Sequence, residues 1–82
     1  MNLQSKIQNV ESEYGVRVIL SYISKLDAIK VKVFRNDVDC VISEYIGMGA
    51  LRSMIDPDFY IQHMARTLSR NLVNHIYEGY TC

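Results

Sequence analysis

Two imidazoles, His63 and His75, and two thiols, Cys40 and Cys82, are the groups in this chain best suited to nucleophilic or metal chemistry. Both histidines fall on one predicted helix, and ~18 Å of helical rise separates them, so they cannot share a metal ion. Asp56, Asp58 and His63 gather at the start of that helix, where capping and a solvated helix face already account for them. Cys40 sits on the apolar face of a strand pattern, the setting of an inert core thiol rather than a nucleophile. Gly47-Met48-Gly49 is a bare G-x-G, with neither a third glycine nor a following Lys-Ser/Thr to cradle phosphate. The residue types therefore point to a non-enzymatic binding protein, with no metal and no cofactor expected.

Two sets of side chains could do the binding. Asp37, Asp39 and Glu44 follow one another along a single turn and strand. Tyr45, Met48 and Tyr60 come from the dense apolar segment that runs from Tyr45 to Tyr60. Six tyrosines, two phenylalanines and four methionines are a heavy load of adaptable contact residues for an 82-residue chain with a small interior, which favours a protein partner or a second copy. The alternative is a nucleic-acid surface: Lys30, Lys32 and Phe34 alternate along one strand as charge plus aromatic platform, and Arg66 and Arg70 lie one helical turn apart. Nine basic and nine acidic side chains cancel, so the chain as a whole makes no electrostatic case for nucleic acid or an anionic membrane.

The elements that must position these groups follow from periodicity. Residues 56–79 read as one long amphipathic helix. Asp56 can cap it, Pro57 suits its first position, Gly79 can close it, and Tyr60, Ile61, Met64, Ala65, Leu68, Leu72, Val73 and Ile76 form its apolar stripe. Residues 2–14 form a first helix, with Asn2 as cap, Leu3, Ile7, Val10 and Tyr14 on one face, and Gly15 as terminator. Between the helices the period changes to two. Val16–Ile23 and Ala28–Phe34 are strands, the second with Ile29, Val31 and Val33 inward and Lys30, Lys32 and Phe34 outward. Val38–Tyr45 is a third strand with Val38, Cys40 and Ile42 facing in. Gly47-Met48-Gly49 marks the exit from the sheet, and a short helix is expected over Ala50–Ile55. The fold class is α+β: a three-stranded antiparallel meander packed on one face by the N-terminal and long C-terminal helices, all in a single domain over residues 1–82.

The α-β-β-β-α order, with G-x-G before the last helices, resembles the double-stranded-RNA-binding domain. There a lysine cluster follows the glycines; here Gly47-Met48-Gly49-Ala50-Leu51-Arg52-Ser53 carries the glycines and one base. A second resemblance lies in Asn36-Asp37-Val38-Asp39-Cys40-Val41-Ile42-Ser43-Glu44. This polar turn and V-I-S-E strand, within the full α-β-β-β-α-α order, resemble the small phage-encoded anti-CRISPR proteins. That resemblance implies a non-enzymatic inhibitor of a host protein or ribonucleoprotein, with Asp37, Asp39 and Glu44 standing in for DNA phosphates. A homo-oligomeric assembly protein, down to a homodimer, is the remaining expectation. The N-terminal residues lack a signal-peptide pattern, no apolar run is long enough to span a bilayer, and the cysteines read as two free thiols, which together predict a cytoplasmic protein.

Overall fold

A computed structural model of the chain describes residues 2–79. Its elements run α1 (Leu3–Tyr14), β1 (Arg17–Ile23), β2 (Ala28–Phe34), β3 (Val41–Gly47), α2 (Met48–Arg52) and α3 (Pro57–Tyr77). The Asn2 side chain caps α1 by accepting the Ser5 N–H at 2.9 Å. Gly15 ends that helix in the left-handed region at φ 65°, where a side chain would be strained, and its N–H returns to the Glu11 carbonyl. Asp56 caps α3 in the same way, accepting from the Phe59 N–H at 3.1 Å, with Pro57 as first helical residue.

The strands form an antiparallel sheet in the order β1-β2-β3. Val18, Val33 and Ile42 lie side by side across it, as do Leu20, Val31 and Glu44, and Tyr22, Ile29 and Ile46. This inner face carries the helices. α3 lies over the central strand β2 and against α1, and it touches β3 much less. Val10, Val31, Val33 and Leu72 are fully buried where these layers meet. Ser69 is buried with them, and its hydroxyl donates to the Ala65 carbonyl at 2.6 Å, so its polar atom is satisfied inside the helix. Arg66 pairs with Glu13 at 3.3 Å, and the Gln62 amide donates to the Lys6 carbonyl, which ties α3 to α1.

Three expectations need correction. Strand β3 begins at Val41 rather than Val38 and continues to Gly47, because its pairing with β2 runs from Phe34↔Val41 to Ala28↔Gly47. That register leaves residues 35–40 as the connecting loop, within which Arg35 pairs with Asp37 through two contacts, 3.0 and 2.6 Å. The short helix begins at Met48, not Ala50, because the Met48 N–H bonds the Asp27 carbonyl at 2.9 Å and the chain turns into α2 directly from the strand. Cys40, buried as expected, is disulfide-bonded rather than a free thiol. The chain's other cysteine, Cys82, lies outside the described residues.

Candidate binding surfaces

Each residue of an edge strand directs its N–H and C=O either at its neighbour or off the sheet, in strict alternation. At β1 the Val18 N–H points off the sheet and is taken by the Glu11 carboxylate at 2.9 Å. That observation sets the parity of the whole ladder. Residues 17, 19, 21 and 23 bond to β2, and residues 42, 44 and 46 of β3 bond to β2 from the other side. The Met48-to-Asp27 bond falls on the same parity, one step beyond Ile46↔Ile29. The outward-directed backbone groups of β3 are therefore those of Val41, Ser43 and Tyr45. No side chain among the described residues hydrogen-bonds them.

Beside this open edge runs a groove between the inner face of β3 and one flank of α3. Glu44, Tyr60, His63, Met64, Thr67, Leu68 and Asn71 line it, and its volume is about 280 Å³. That lies below the usual range for small-molecule clefts and suits one or two side chains. Positions 60, 64, 67 and 71 repeat at helical spacing and turn toward β3 because α3 is centred over β2, leaving the groove beside it. Glu44 is exposed and makes no ion pair among the described residues. Hydroxyls from Tyr60 and Thr67 and the Asn71 amide add neutral donors and acceptors. No hydrogen bond joins Glu44 to His63. The His63 ring instead stacks on Phe59, centroids 6.5 Å apart and planes 12° from parallel. Phe59 is itself exposed, and Ile55, at 105% relative exposure, projects wholly into solvent from the connection before α3. Phe59 and His63 form an exposed aromatic pair next to the groove, and Ile55 adds a second exposed apolar side chain just before the helix.

The acidic contact set does not come together. Glu44 and Tyr60 share the groove, but Asp37 is engaged by Arg35 and Asp39 sits on the β2–β3 loop, beyond the start of β3. Glu44 is three residues into the strand from Val41, roughly 10 Å beyond the strand's start at ordinary rise, and five residues from Asp39 in sequence. Tyr45, its neighbour, points to the opposite sheet face, and Met48 is half-buried against the core.

The basic set also divides. Lys30, Lys32 and Phe34 lie on the outer sheet face, which no helix covers, whereas Arg66 and Arg70 belong to the helix layer and Arg66 is paired with Glu13. On the outer face Lys32 Nζ stands 5.5 Å from the Phe34 ring centroid. Reading the outward positions of all three strands gives Arg17, Ile19, Ser21, Ile23, Ala28, Lys30, Lys32, Phe34, Val41, Ser43, Tyr45 and Gly47, without one carboxylate.

The chain matches no protein-family model, no curated protein and no solved structure. Among the described residues no helix is long and apolar enough to cross a membrane. Phe59 falls within the Tyr45–Tyr60 segment expected to bind, whereas His63, Thr67 and Asn71 are surface residues that sequence reasoning missed as its companions. Their signal was present in the i, i+4 spacing of Phe59 with His63 and of His63 with Thr67, on the flank next to the apolar stripe.

Proposed function

We propose that this chain is a small non-enzymatic binding protein that occupies a surface of a partner protein through the side formed by β3 and α3. The exposed Phe59–His63 stack and the exposed Ile55, beside a groove holding Glu44 without an ion-pair partner among the described residues, carry this reading. Exposed aromatic and aliphatic anchors flanked by a few polar groups are the usual makings of a protein interface. Inhibition or modulation of a host protein or ribonucleoprotein follows the Asn36–Glu44 resemblance, with Glu44 and Tyr60 as the members of that contact set positioned to act together. A disulfide at Cys40 removes free thiols as an argument for the cytoplasm, so a cytoplasmic location rests here on the partner alone.

A second reading is favoured by one observation, the carboxylate-free outer sheet face with Arg17, Lys30, Lys32, Phe34 and Tyr45. Single-stranded nucleic acid is the ligand such a face would take. The two readings separate in one capture experiment from host lysate, run with and without nuclease, with wild type, Ile55→Ser/Phe59→Ala and Lys30→Glu/Lys32→Glu as baits. A nuclease-resistant protein band lost only from the Ile55/Phe59 variant supports the first reading. Recovery that needs nucleic acid, falls steeply with salt and is lost from the lysine variant overturns it in favour of the second.

A further inference from the structure

We infer that β3 accepts an added strand: an extended peptide segment of a partner, pairing with the outward backbone groups of Val41, Ser43 and Tyr45 and placing a lysine or arginine beside Glu44 in the groove. The inference rests on the partner-protein reading and names how such a partner is held. Three independent observations converge on it. The ladder parity directs the N–H and C=O groups of those three residues off the sheet, where no described residue hydrogen-bonds them, and an edge of that kind is a template for another chain. The groove lies alongside the same edge, so side chains alternating along an added strand would enter it at every second position. Glu44 is the only carboxylate or ammonium-type charge lining it, without an ion-pair partner among the described residues, and Tyr60 offers an aromatic face to the same cation.

The pairing also dictates the peptide's other face. Residues opposite Val41 and Tyr45 fall on the outer side of the sheet, where these two are 54% and 49% exposed, and apolar or aromatic partners would cover them. Read from the residue opposite Val41 to the one opposite Tyr45, the recognised pattern is therefore apolar, any, any, basic, apolar. Such a strand gains affinity from main-chain hydrogen bonds and specificity from the single groove-facing cation.

The test is selection from a library of linear random-sequence peptides on the intact, oxidised protein, followed by amide exchange and binding measurements with one synthetic, end-blocked selected peptide. Before any peptide is added, the amides of Val41, Ser43 and Tyr45 should exchange faster than those of Ile42, Glu44 and Ile46. Selected peptides should carry a lysine or arginine at one fixed position with an apolar residue next to it and a second one three positions away on the other side, and their binding should slow the first three amides. Glu44→Lys should weaken binding ~10-fold or more, and replacing the peptide's basic residue by glutamate should restore it. Methylation of alternate peptide amides should abolish binding, and methylation of the intervening ones should not.

Failure to enrich any peptide overturns the inference, as does protection of amides elsewhere or indifference to Glu44→Lys. Concentration-dependent protection of Val41, Ser43 and Tyr45 without peptide overturns it in favour of a second copy at that edge. Competition by single-stranded oligothymidylate with perturbation of Lys30, Lys32 and Phe34 overturns it in favour of nucleic acid. Failure of strand addition with partner capture still dependent on Ile55 and Phe59 leaves the interface and removes only this mode of holding. Strand addition with capture indifferent to Ile55 and Phe59 does the reverse.

Discussion

The two edges of the sheet are built from strands of the same length, each beside a groove roofed by a helix, yet they are finished differently. At β1 a groove of about 360 Å³ lies between Leu3, Gln4, Ile7, Gln8 and Glu11 of α1 and Val18 and Leu20, and Glu11 reaches from it to cap the strand's backbone. The same carboxylate lies 3.8 Å from Arg17, so it is fixed from two sides. At β3 the carboxylate in the equivalent place, Glu44, sits on the strand itself and caps nothing. Native sheets usually close an edge with a charge, a bulge or a covering element. At β1 the Glu11 carboxylate already occupies one of the outward N–H groups, that of Val18, whereas no described side chain occupies any at β3, which is why β3 rather than β1 is where a partner is expected.

The largest test of this contrast concerns how β3 is held at all. With one edge unpaired and little of α3 above it, the strand depends on its inner face, chiefly on Ile46, which is 4% exposed. Ile46→Ala should cost about 2–5 kcal/mol in urea unfolding. A loss under about 1 kcal/mol would show that β3 is not anchored through that face. The next test makes the edges alike. Glu11→Ala removes a charge-assisted hydrogen bond to a partly buried N–H and should cost about 1.5–3 kcal/mol. Light scattering should also report new self-association that Glu44→Lys in the same protein does not suppress; a variant that stays monomeric would mean that Glu11 is not what keeps β1 from pairing.

A smaller effect is expected at the wall of the groove. Asp56→Ala deletes the cap of α3 and should cost ~1 kcal/mol. The loss should be local, with faster amide exchange at Phe59 and Tyr60 and no change in α1. Uniform acceleration across the domain would mean that the first turn of α3 is not an independent unit, and that Phe59 does not owe its position to the cap.

The contrast between edges was only partly legible in the sequence. Periodicity placed α1, β1, β2 and α3, because Asn2, Gly15, Asp56 and Pro57 are local signals whose physics needs no tertiary context. It misplaced β3 by crediting Val38 and Cys40 to the strand. Both are shielded from water all the same, Cys40 fully and Val38 in part, so an apolar alternation was visible where the ladder had not begun. The fate of each acid was harder still. Asp37 pairs within its own loop, Glu11 crosses to β1 and Glu44 faces a groove, and only the register that puts Glu44 opposite Val31 on the inner face reveals this. Tyr60 reads as core from its spacing but is 37% exposed, because α3 is centred on β2 and its flank overhangs the groove.

The smallest predicted effect sits at the far end of β1. Asp27 occupies the left-handed region at φ 46°, a conformation that a short polar side chain tolerates. Its carbonyl accepts from Met48, one carboxylate oxygen accepts the Tyr22 hydroxyl at 2.8 Å, and the other lies 3.5 Å from Arg52. The hydrogen bond to Asp27 raises the Tyr22 pKa above its ordinary value, with desolvation and the negative charge of Asp27 acting in the same direction and Arg52 opposing them. A raised phenol pKa means that the folded state holds its proton more tightly than the unfolded chain. The associated stability is then whole below about pH 10 and is lost as pH rises through the elevated folded value. Because the phenol is exposed, the change should be slight. Thermal melts from pH 8 to pH 11 should show wild type losing more stability on the alkaline side than Tyr22→Phe, and the phenolate absorbance of the wild type should include one late-titrating tyrosine that the variant lacks. Coincident curves would mean that Tyr22 does not hold Asp27 in solution.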